Sequence, residues 1–358
     1  MPSLKEIKGR INSISSTLAI TSAMKMVAAA KLQKAQMAIQ NMLPYERRLY
    51  SMLLDLMGAM NISAAASEDG SVRGSGSAER GFDQSGDRLS LSNRHDLAGM
   101  DGAYSLMAQR EVRKVAIVAF ASNSSLCGAF NSNVIREATA VINEYRASGL
   151  RDSDIVVYSV GRKMAEAMRK LGFPSPADFT KMSDSPSYEA ASALAQELLD
   201  GFVSGRFDKV ELVYNHYKST SSQPTTRQTY LPLSLADATA DIQVGKITDS
   251  ASESDTNRGA ETVGAPVVRQ GSPTTEDLIV EPSKEALIAI LLPKVIRLRI
   301  FTTLLDSAAA EHAARTVAMQ LATDNGNDLL QELTLEYNKG RQQKITSEIL
   351  DLVGGSMQ

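Results

Sequence analysis

The sequence predicts an α/β fold in which a long helix at each end of the chain joins the other in an antiparallel coiled coil. An open α/β domain is inserted between the two helices. Apolar residues recur at spacings of three and four over residues 4–60 and again over residues 287–352, a pattern typical of helices that wind around a partner. Between these stretches, short apolar runs alternate with helical patterns, which indicates a sheet flanked by helices.

The N-terminal helix has an apolar stripe that only Thr21, Lys25 and Glu46 interrupt. Its apolar members are Leu4, Ile7, Ile11, Ile14, Leu18, Ala28, Leu32, Ala35, Ile39, Met42, Leu49, Leu53, Leu56 and Met60. Such a helix would extend roughly 85–90 Å at 1.5 Å per residue, whereas a compact domain of this chain length is only about 40–50 Å across. The helix must therefore project from the domain, and we expect the C-terminal helix to cover its stripe. The stripe expected on the C-terminal helix consists of Leu287, Leu291, Val295, Leu298, Phe301, Leu305, Ala308, His312, Arg315, Met319, Ala322, Gly326, Leu330, Leu333 and Tyr337, and Ile345, Ile349 and Leu352 continue it.

The region 111–240 contains the strand and helix patterns of a Rossmann-like domain. Buried-strand runs occur at KVAIVAFAS and DIVVYSVG, and a helical pattern follows each of them. A third helix covers SPSYEAASALAQELLDGFVSG, and DKVELVYNHYKS with TTRQTYLPLS predicts an antiparallel hairpin at the edge of the sheet. Gly149 and Gly172 end the first two helices.

Two segments without periodicity separate these units. Residues 62–102 and 241–277 are rich in small and polar residues, so they bury too little apolar surface to offset their ordering entropy. Each is either a regulatory arm or an idle surface loop. The predicted units are an N-terminal helix (1–61), a mobile insertion and linker (62–110), the α/β domain (111–240), a second mobile insertion (241–278) and a C-terminal helix (279–358).

Pro44 and Pro293 lie inside the two helical patterns. Because an interior proline costs about 3 kcal/mol and kinks a helix, we expect a bend or local irregularity at each. Two separate helices at either position is the competing interpretation. Pro282–Ser283 predicts the start of the C-terminal helix, and Gly354–Gly355 predicts its end.

Composition argues against several classes of protein. The net charge is −3, so bulk charge indicates neither nucleic acid nor an anionic membrane as a partner. There is no apolar run long enough to span a membrane, and the start of the chain does not resemble a signal or transit peptide. The single cysteine, Cys127, allows no intrachain disulfide.

The sequence contains no constellation typical of an active site. His95, His216 and His312 lack metal-ligand spacing, and neither a Walker A loop nor a GxGxxG motif is present. Cys127 has no sequence cue for a partner histidine, and we expect it in a buried apolar position. We therefore predict no metal, no cofactor and no active site. An α/β enzyme that uses Cys127 and a static coiled-coil scaffold are the competing hypotheses.

Several motifs in the two helices and in the loops of the middle domain stand in a fixed order. They are LKEIKGRINSI, ITSAMKMVAAAKLQKAQ, SLCGAFNSN, YNHYKSTSSQ with YLPLS, SAAAEHAARTVAMQLATDN and LTLEYNKGRQQKITSEILDLVGG. In order and spacing they resemble the gamma subunit of the F-type ATP synthase, the central rotor shaft of that complex. Chloroplast members carry a redox-regulatory insertion close to 241–277, but this segment has no cysteine, so we expect no dithiol switch.

The resemblance implies a rotor subunit whose partners perform the chemistry. In this family the coiled coil stands inside a ring of alternating alpha and beta subunits, and the α/β domain contacts the epsilon subunit and the membrane c-ring. Proton flow turns the c-ring and the shaft, and unequal contacts with the conformations of the catalytic subunits couple rotation to ATP synthesis. The implied location is peripheral, on the cytoplasmic face of a bacterial inner membrane.

The same resemblance implies which residues contact partners. Coupling positions and contacts with the catalytic subunits match Met24, Lys25, Arg315, Arg341, Gln342 and Thr346, and the loop near epsilon and the c-ring matches Tyr217 and Lys218. Glu311, Asp324 and Asn325 lie in a matching motif, with a role in shaft packing or polar contact. Both chain termini are expected at one tip, where polar residues interrupt the stripes of both helices.

Overall fold

Two very long helices and a four-stranded sheet form the fold. The computed structural model describes residues 3–68, 106–107, 109–233, 280–281 and 283–356. In chain order the elements are α1 (Leu4–Glu68), β1 (Val115–Phe120), α2 (Phe130–Ala147), β2 (Ile155–Val160), α3 (Arg162–Lys170), α4 (Thr180–Asp184), α5 (Tyr188–Val203), β3 (Lys209–Asn215), β4 (Thr225–Leu231) and α6 (Lys284–Ser356), with a short 3₁₀ turn at Asp152–Asp154.

Helices α1 and α6 run antiparallel along each other, as predicted. The register is defined by three contacting pairs, Leu4 with Gly340, Thr21 with Thr323 and Tyr50 with Arg299. The partner's number on α6 falls as the number on α1 rises, which only an antiparallel pair can give. Within the described residues, neither long helix nor any other is apolar enough over a sufficient length to cross a bilayer.

The predicted stripe of α1 lies in the helix–helix interface. Every stripe position from Leu4 to Leu56 is buried or half-buried. On α6 the expected member Ala322 is exposed, and Thr323 takes the inward position instead. The spacing after Met319 is four residues rather than three, and a repeat of threes and fours permits either.

The two interior prolines do not divide the helices. Both α1 and α6 are continuous through Pro44 and Pro293, so the interpretation of two separate helices is wrong. Leu292 and Val295 on either side of Pro293 are fully buried in the main core, and this packing offsets the hydrogen bond that the proline removes. The bend expected at each proline stays a prediction.

The ends of the long helices differ slightly from expectation. Helix α1 continues to Glu68, and the rest of the segment 62–102 lies outside the described residues, as does the whole of 241–277. Helix α6 runs through Gly354–Gly355 to Ser356, because a glycine weakens a helix by only about 1 kcal/mol. At its start, the backbone N–H of Ala286 donates to Ser283 Oγ over 3.1 Å. Pro282 is not among the described residues.

The sheet has the order β2-β1-β3-β4. Strand β1 is parallel to β2 and β3, and β4 pairs antiparallel with β3, so the predicted edge hairpin is confirmed. Helices α2 and α3 cover one face of the sheet. On the other face, α5 and the adjoining stretches of α1 and α6 form one continuous core with the strands. We call these stretches of α1 (residues 49–56) and α6 (residues 287–304) the foot of the coiled coil.

Candidate partner-binding surface

Helix α6 lies across the carboxyl ends of β1 and β3. In open α/β sheets, ligands bind at this place, where the strand order reverses. Here the loop after β1 contacts Arg315, and the loop after β3 contacts Asp306. The cavity left beside Phe120 and Glu311 has a volume of about 10 Å³, enough for roughly one water molecule. The chain's own helix therefore fills the position that a nucleotide would take in such a fold.

In the described part of the chain, the side chains that most often bind metals or take part in catalysis either lie apart from one another or are buried. Within the described ranges, no group of three or more His, Cys, Asp or Glu side chains is placed to hold a metal ion. Cys127 is buried, as expected, and Asn131 Nδ2 donates to its Sγ over 3.1 Å. His312 is half-buried on α6, and burial together with the charges of Lys31 and Arg315 lowers its pKa from 6.5 to about 4.

Arg315 is buried between α6 and the loop after β1, with 8% of its surface exposed. Its guanidinium donates to the carbonyl of Ser125 over 2.7 Å, to Ser124 Oγ over 2.8 Å and to Glu311 Oε1 over 2.6 Å. Burial raises the pKa of Glu311, and the bond from Arg315 offsets this rise only in part. These donors are used inside the chain, and the predicted contact of Arg315 with a catalytic subunit stays a prediction.

Met24 and Lys25 lie midway along the shaft rather than at its tip. Both are half-buried on α1, and Lys25 is about 30 Å from Leu4 at 1.5 Å per residue. Their neighbours Met26 and Val27 point outward, with 66% and 58% of their surfaces exposed. On α6, the exposed Val317 and Leu321 lie at a similar height by the register.

These four outward residues are not among the predicted contacts. They could have been found in the sequence, because they are apolar residues at positions that the stripe assigns to the polar face. The middle of the shaft therefore exposes an apolar band, which we define as Met26, Val27, Val317 and Leu321. Asp324 and Asn325, also exposed, lie beyond this band, and Asp324 accepts from Gln320 Nε2 on its own helix.

Beyond Gly340 the side chains of helix α6 are exposed as far as their burial is described, to Val353. Arg341, Gln342 and Thr346 are exposed there, as is every other residue over 341–353, and Thr346 Oγ1 donates only to the carbonyl of Gln342 in its own helix. The expectation that Ile345, Ile349 and Leu352 continue the buried stripe is wrong, since all three are exposed. The pairing ends where α1 begins, because Leu4 already faces Gly340. We call residues 341–356 the tip; it extends roughly 20 Å past its partner.

Tyr217 and Lys218 lie in the loop between β3 and β4. The Tyr217 hydroxyl accepts from Gln36 Nε2 of α1 over 2.6 Å, and its backbone N–H donates to Asp306 of α6 over 2.9 Å. Lys218 next to it is exposed. The predicted contact residues therefore occupy three heights, namely the β3–β4 loop, the middle of the shaft and the tip, and only the last is where the termini meet.

Comparison with known proteins identifies the family. The family model described as ATP synthase matches residues 3–357. The chain is 46% identical to the ATP synthase gamma chain of Phocaeicola vulgatus over 357 residues and 45% identical to that of Bacteroides thetaiotaomicron over 358 residues, with 100% of each chain covered in both cases.

Solved structures show the same fold. The rotor of the Euglena gracilis mitochondrial ATP synthase in rotational state 1 aligns with a TM-score of 0.51 at 18% identity, covering 96% of this chain and 98% of that one. A chain of the OSCP/F1/c-ring structure of the same synthase in rotational state 3 aligns with a TM-score of 0.53 at 18% identity, covering 99% and 93%. Together with the full-length sequence matches, these findings show that the chain belongs to the gamma chain family of ATP synthases.

Proposed function

We propose that this protein, as a gamma chain and therefore a central-stalk subunit of an ATP synthase, is the rotor of a proton-driven enzyme and has no active site of its own. Torque from the membrane c-ring enters beside the α/β domain, where the epsilon subunit also binds. The coiled coil carries it to the alpha and beta subunits of the catalytic ring. The protein lies peripherally on the cytoplasmic face of the bacterial inner membrane.

The observation that carries this proposal is the bare tip of α6. A helix that exposes isoleucine, leucine and valine side chains over several turns is unfavourable in water, and such surfaces mark protein contacts. In the part of the chain that the structure describes, Ile349 and Leu352 expose 54% and 74% of their surfaces, although they continue the period of the buried stripe. We infer that the ring subunits surround the tip and the apolar band at the middle of the shaft.

The foot supports the proposal because it joins the shaft firmly to the α/β domain. Its side chains lie in the same core as residues of all four strands of the sheet, so the domain cannot turn without the two helices. A subunit that receives force at one end and delivers it at the other needs such a connection.

Coupling requires the shaft to contact different conformations of the catalytic subunits unequally. We propose five residues as contacts with the ring, each half-buried or exposed. Two lie at the middle of the shaft, Met24 and Lys25, and three lie at the tip, Arg341, Gln342 and Thr346. For Arg315 we propose a different role from the one predicted. It holds the loop after β1 against α6 and thereby positions the surface around it.

Reversal of two shaft charges tests the proposed contacts. In the assembled complex, Lys25→Glu combined with Arg341→Glu should lower the number of protons pumped per ATP hydrolysed about two-fold or more, because favourable contacts with the ring become repulsive. ATP-driven proton pumping and ATP hydrolysis are measured on the same membrane vesicles.

The matched control reverses two exposed charges of the α/β domain, Arg151→Glu with Lys170→Glu, and should leave the ratio unchanged. Equal ratios for all variants would remove Lys25 and Arg341 from the coupling surface. Failure of the unaltered chain to copurify with nucleotide-binding ring subunits would refute the rotor itself.

A further inference from the structure

A small cavity lies where helix α6 crosses the carboxyl ends of the strands. It has a volume of about 10 Å³ and is bounded by the ends of β1 and β2, by helix α4 and by helix α6. Its apolar wall includes Phe120 and Leu304, and its polar wall consists of Ser183, Ser307 and Glu311. The cavity therefore combines room for about one water molecule with hydrogen-bonding groups from two helices.

The hydroxyl of Ser307 is the first polar group of this wall that needs a partner. Ser307 exposes only 5% of its surface, yet its hydroxyl makes no hydrogen bond to any residue that the structure describes. Thr302 and Thr316, on the same helix, donate instead to carbonyls of the preceding turn, over 3.1 and 2.8 Å. A buried hydroxyl without a partner is unfavourable, because it gives up its hydrogen bonds to water on folding.

The carboxylate of Glu311 is the second such group. Glu311 exposes 8% of its surface, and its Oε1 accepts from Arg315 over 2.6 Å. An ionised carboxylate can accept about four hydrogen bonds on its two oxygens, and in the described ranges no residue donates to Oε2. Two mostly buried polar groups on adjoining turns of α6 thus border the same cavity and have bonding capacity left there.

Ser183 of helix α4 supplies a third polar group on the opposite side of the cavity. Its Oγ donates to the carbonyl of Ala121 over 3.0 Å and keeps its lone pairs available as acceptors. A water molecule in the cavity could donate to Glu311 and to Ser183 while it bonds with the hydroxyl of Ser307. Three partners are the usual number for a buried water.

The charges around the cavity favour a neutral occupant over an ion. Lys31 and Arg315 act on Glu311 as positive charges, and Asp184 acts on it as a negative charge. Because the guanidinium of Arg315 is already bonded to Glu311, it would repel a cation beside that carboxylate. The carboxylates of Glu311 and Asp184 would repel an anion. The small volume excludes larger neutral ligands.

We propose that this cavity is a binding site for one ordered water molecule, which bridges Ser183 of the α/β domain to Ser307 and Glu311 of the shaft. Open α/β sheets bind their ligands at this place, and here that binding crevice is reduced to a single water. The water gives Glu311 a second bond, and Glu311 in turn holds Arg315 against the loop after β1. The site is a property of this chain's fold and is independent of the proposed rotor function.

The direct test is a density map of the complete ATP synthase complex at a resolution that shows ordered waters. A peak should lie within about 2.5–3.0 Å of both Glu311 Oε2 and Ser307 Oγ. A map that defines both side chains and has no peak between them overturns the inference. A peak with several oxygen contacts of only about 2.3–2.6 Å would indicate a metal ion and would overturn it as well.

The sign of a stability change provides a second test. Ser307→Ala removes a partner of the water, whereas the control Ser347→Ala alters an exposed serine of the same helix and reports the helix propensity of alanine alone. The melting temperature of the purified full-length chain should be lower in Ser307→Ala than in the control by about 2 °C or more. In a dry cavity the change would remove an unpaired hydroxyl, so an equal or higher melting temperature in Ser307→Ala overturns the inference.

Discussion

The foot and the tip of the coiled coil use the same kinds of side chain with opposite results. At the foot, Leu53 and Leu292 are almost fully buried, whereas Leu352 at the tip exposes 74% of its surface. Burying a leucine side chain contributes about 1.5–3 kcal/mol, so the foot derives its stability from this chain and the tip derives little. The foot is therefore covered by this chain itself, whereas the tip has the exposed apolar surface that the proposed ring contact would cover.

The largest effect expected from this comparison is that of Leu292→Ala. Because Leu292 is fully buried in the main core, its truncation should lower the free energy of unfolding by about 2–5 kcal/mol. The matched change Leu352→Ala should alter it by no more than about 0.5 kcal/mol. Urea unfolding of the purified chain measures both. A large loss in Leu352→Ala would mean that the tip packs within this chain after all.

His312 tests how well the middle of the shaft, which lies between the buried foot and the exposed tip, excludes water. Its folded-state pKa of about 4 lies below the ordinary 6.5, so between these values the unfolded chain binds more protons than the folded chain. Stability should therefore fall as pH falls from 6.5 towards 4, by up to about 3 kcal/mol. His312→Gln removes the titrating group, and its unfolding free energy should lack this part of the pH dependence.

The pH test compares urea unfolding of the two chains at several pH values between 4 and 7, since all other titrating groups are shared. Parallel curves of unfolding free energy against pH would mean that His312 is solvated. The packing of α1 against α6 around it would then be looser than its burial indicates. A slope found only in the unaltered chain would show that the middle of the shaft, like the foot, excludes water.

The foot and the tip also differ in how well the sequence predicts them. Periodicity identified both helices and the inward positions at Ala28 and Leu32, because a heptad pattern records which side of a helix is covered. It does not record where the covering helix ends, so Ile345 and Ile349 were assigned to a buried stripe. Only the position of Leu4 opposite Gly340 in three dimensions could correct that.

The bonds of Arg315 show a similar limit, while its predicted contact with a catalytic subunit stays a prediction. Its acceptors at Ser124 and Ser125 are 191 and 190 residues away, in a loop that folds back onto the helix. Local sequence cannot show such a bond, whereas the hairpin of β3 and β4, whose strands are adjacent in sequence, was predicted correctly.

The smallest expected effect concerns how closely α1 and α6 pack as they approach the tip. A Cβ at Gly326 would lie 2.6 Å from Leu18 Cδ2, whereas one at Gly340 would lie 3.2 Å from Leu4 Cδ2. Gly326→Val should therefore lower the free energy of unfolding by about 1–3 kcal/mol, and Gly340→Val by less than about 1 kcal/mol, because Leu4 is the first residue of α1 and can move aside. Urea unfolding of the two variants measures the difference. Equal losses of unfolding free energy would mean that α1 packs against α6 as tightly at its first turn as further along. The boundary between the paired shaft and the exposed tip would then be sharp rather than gradual.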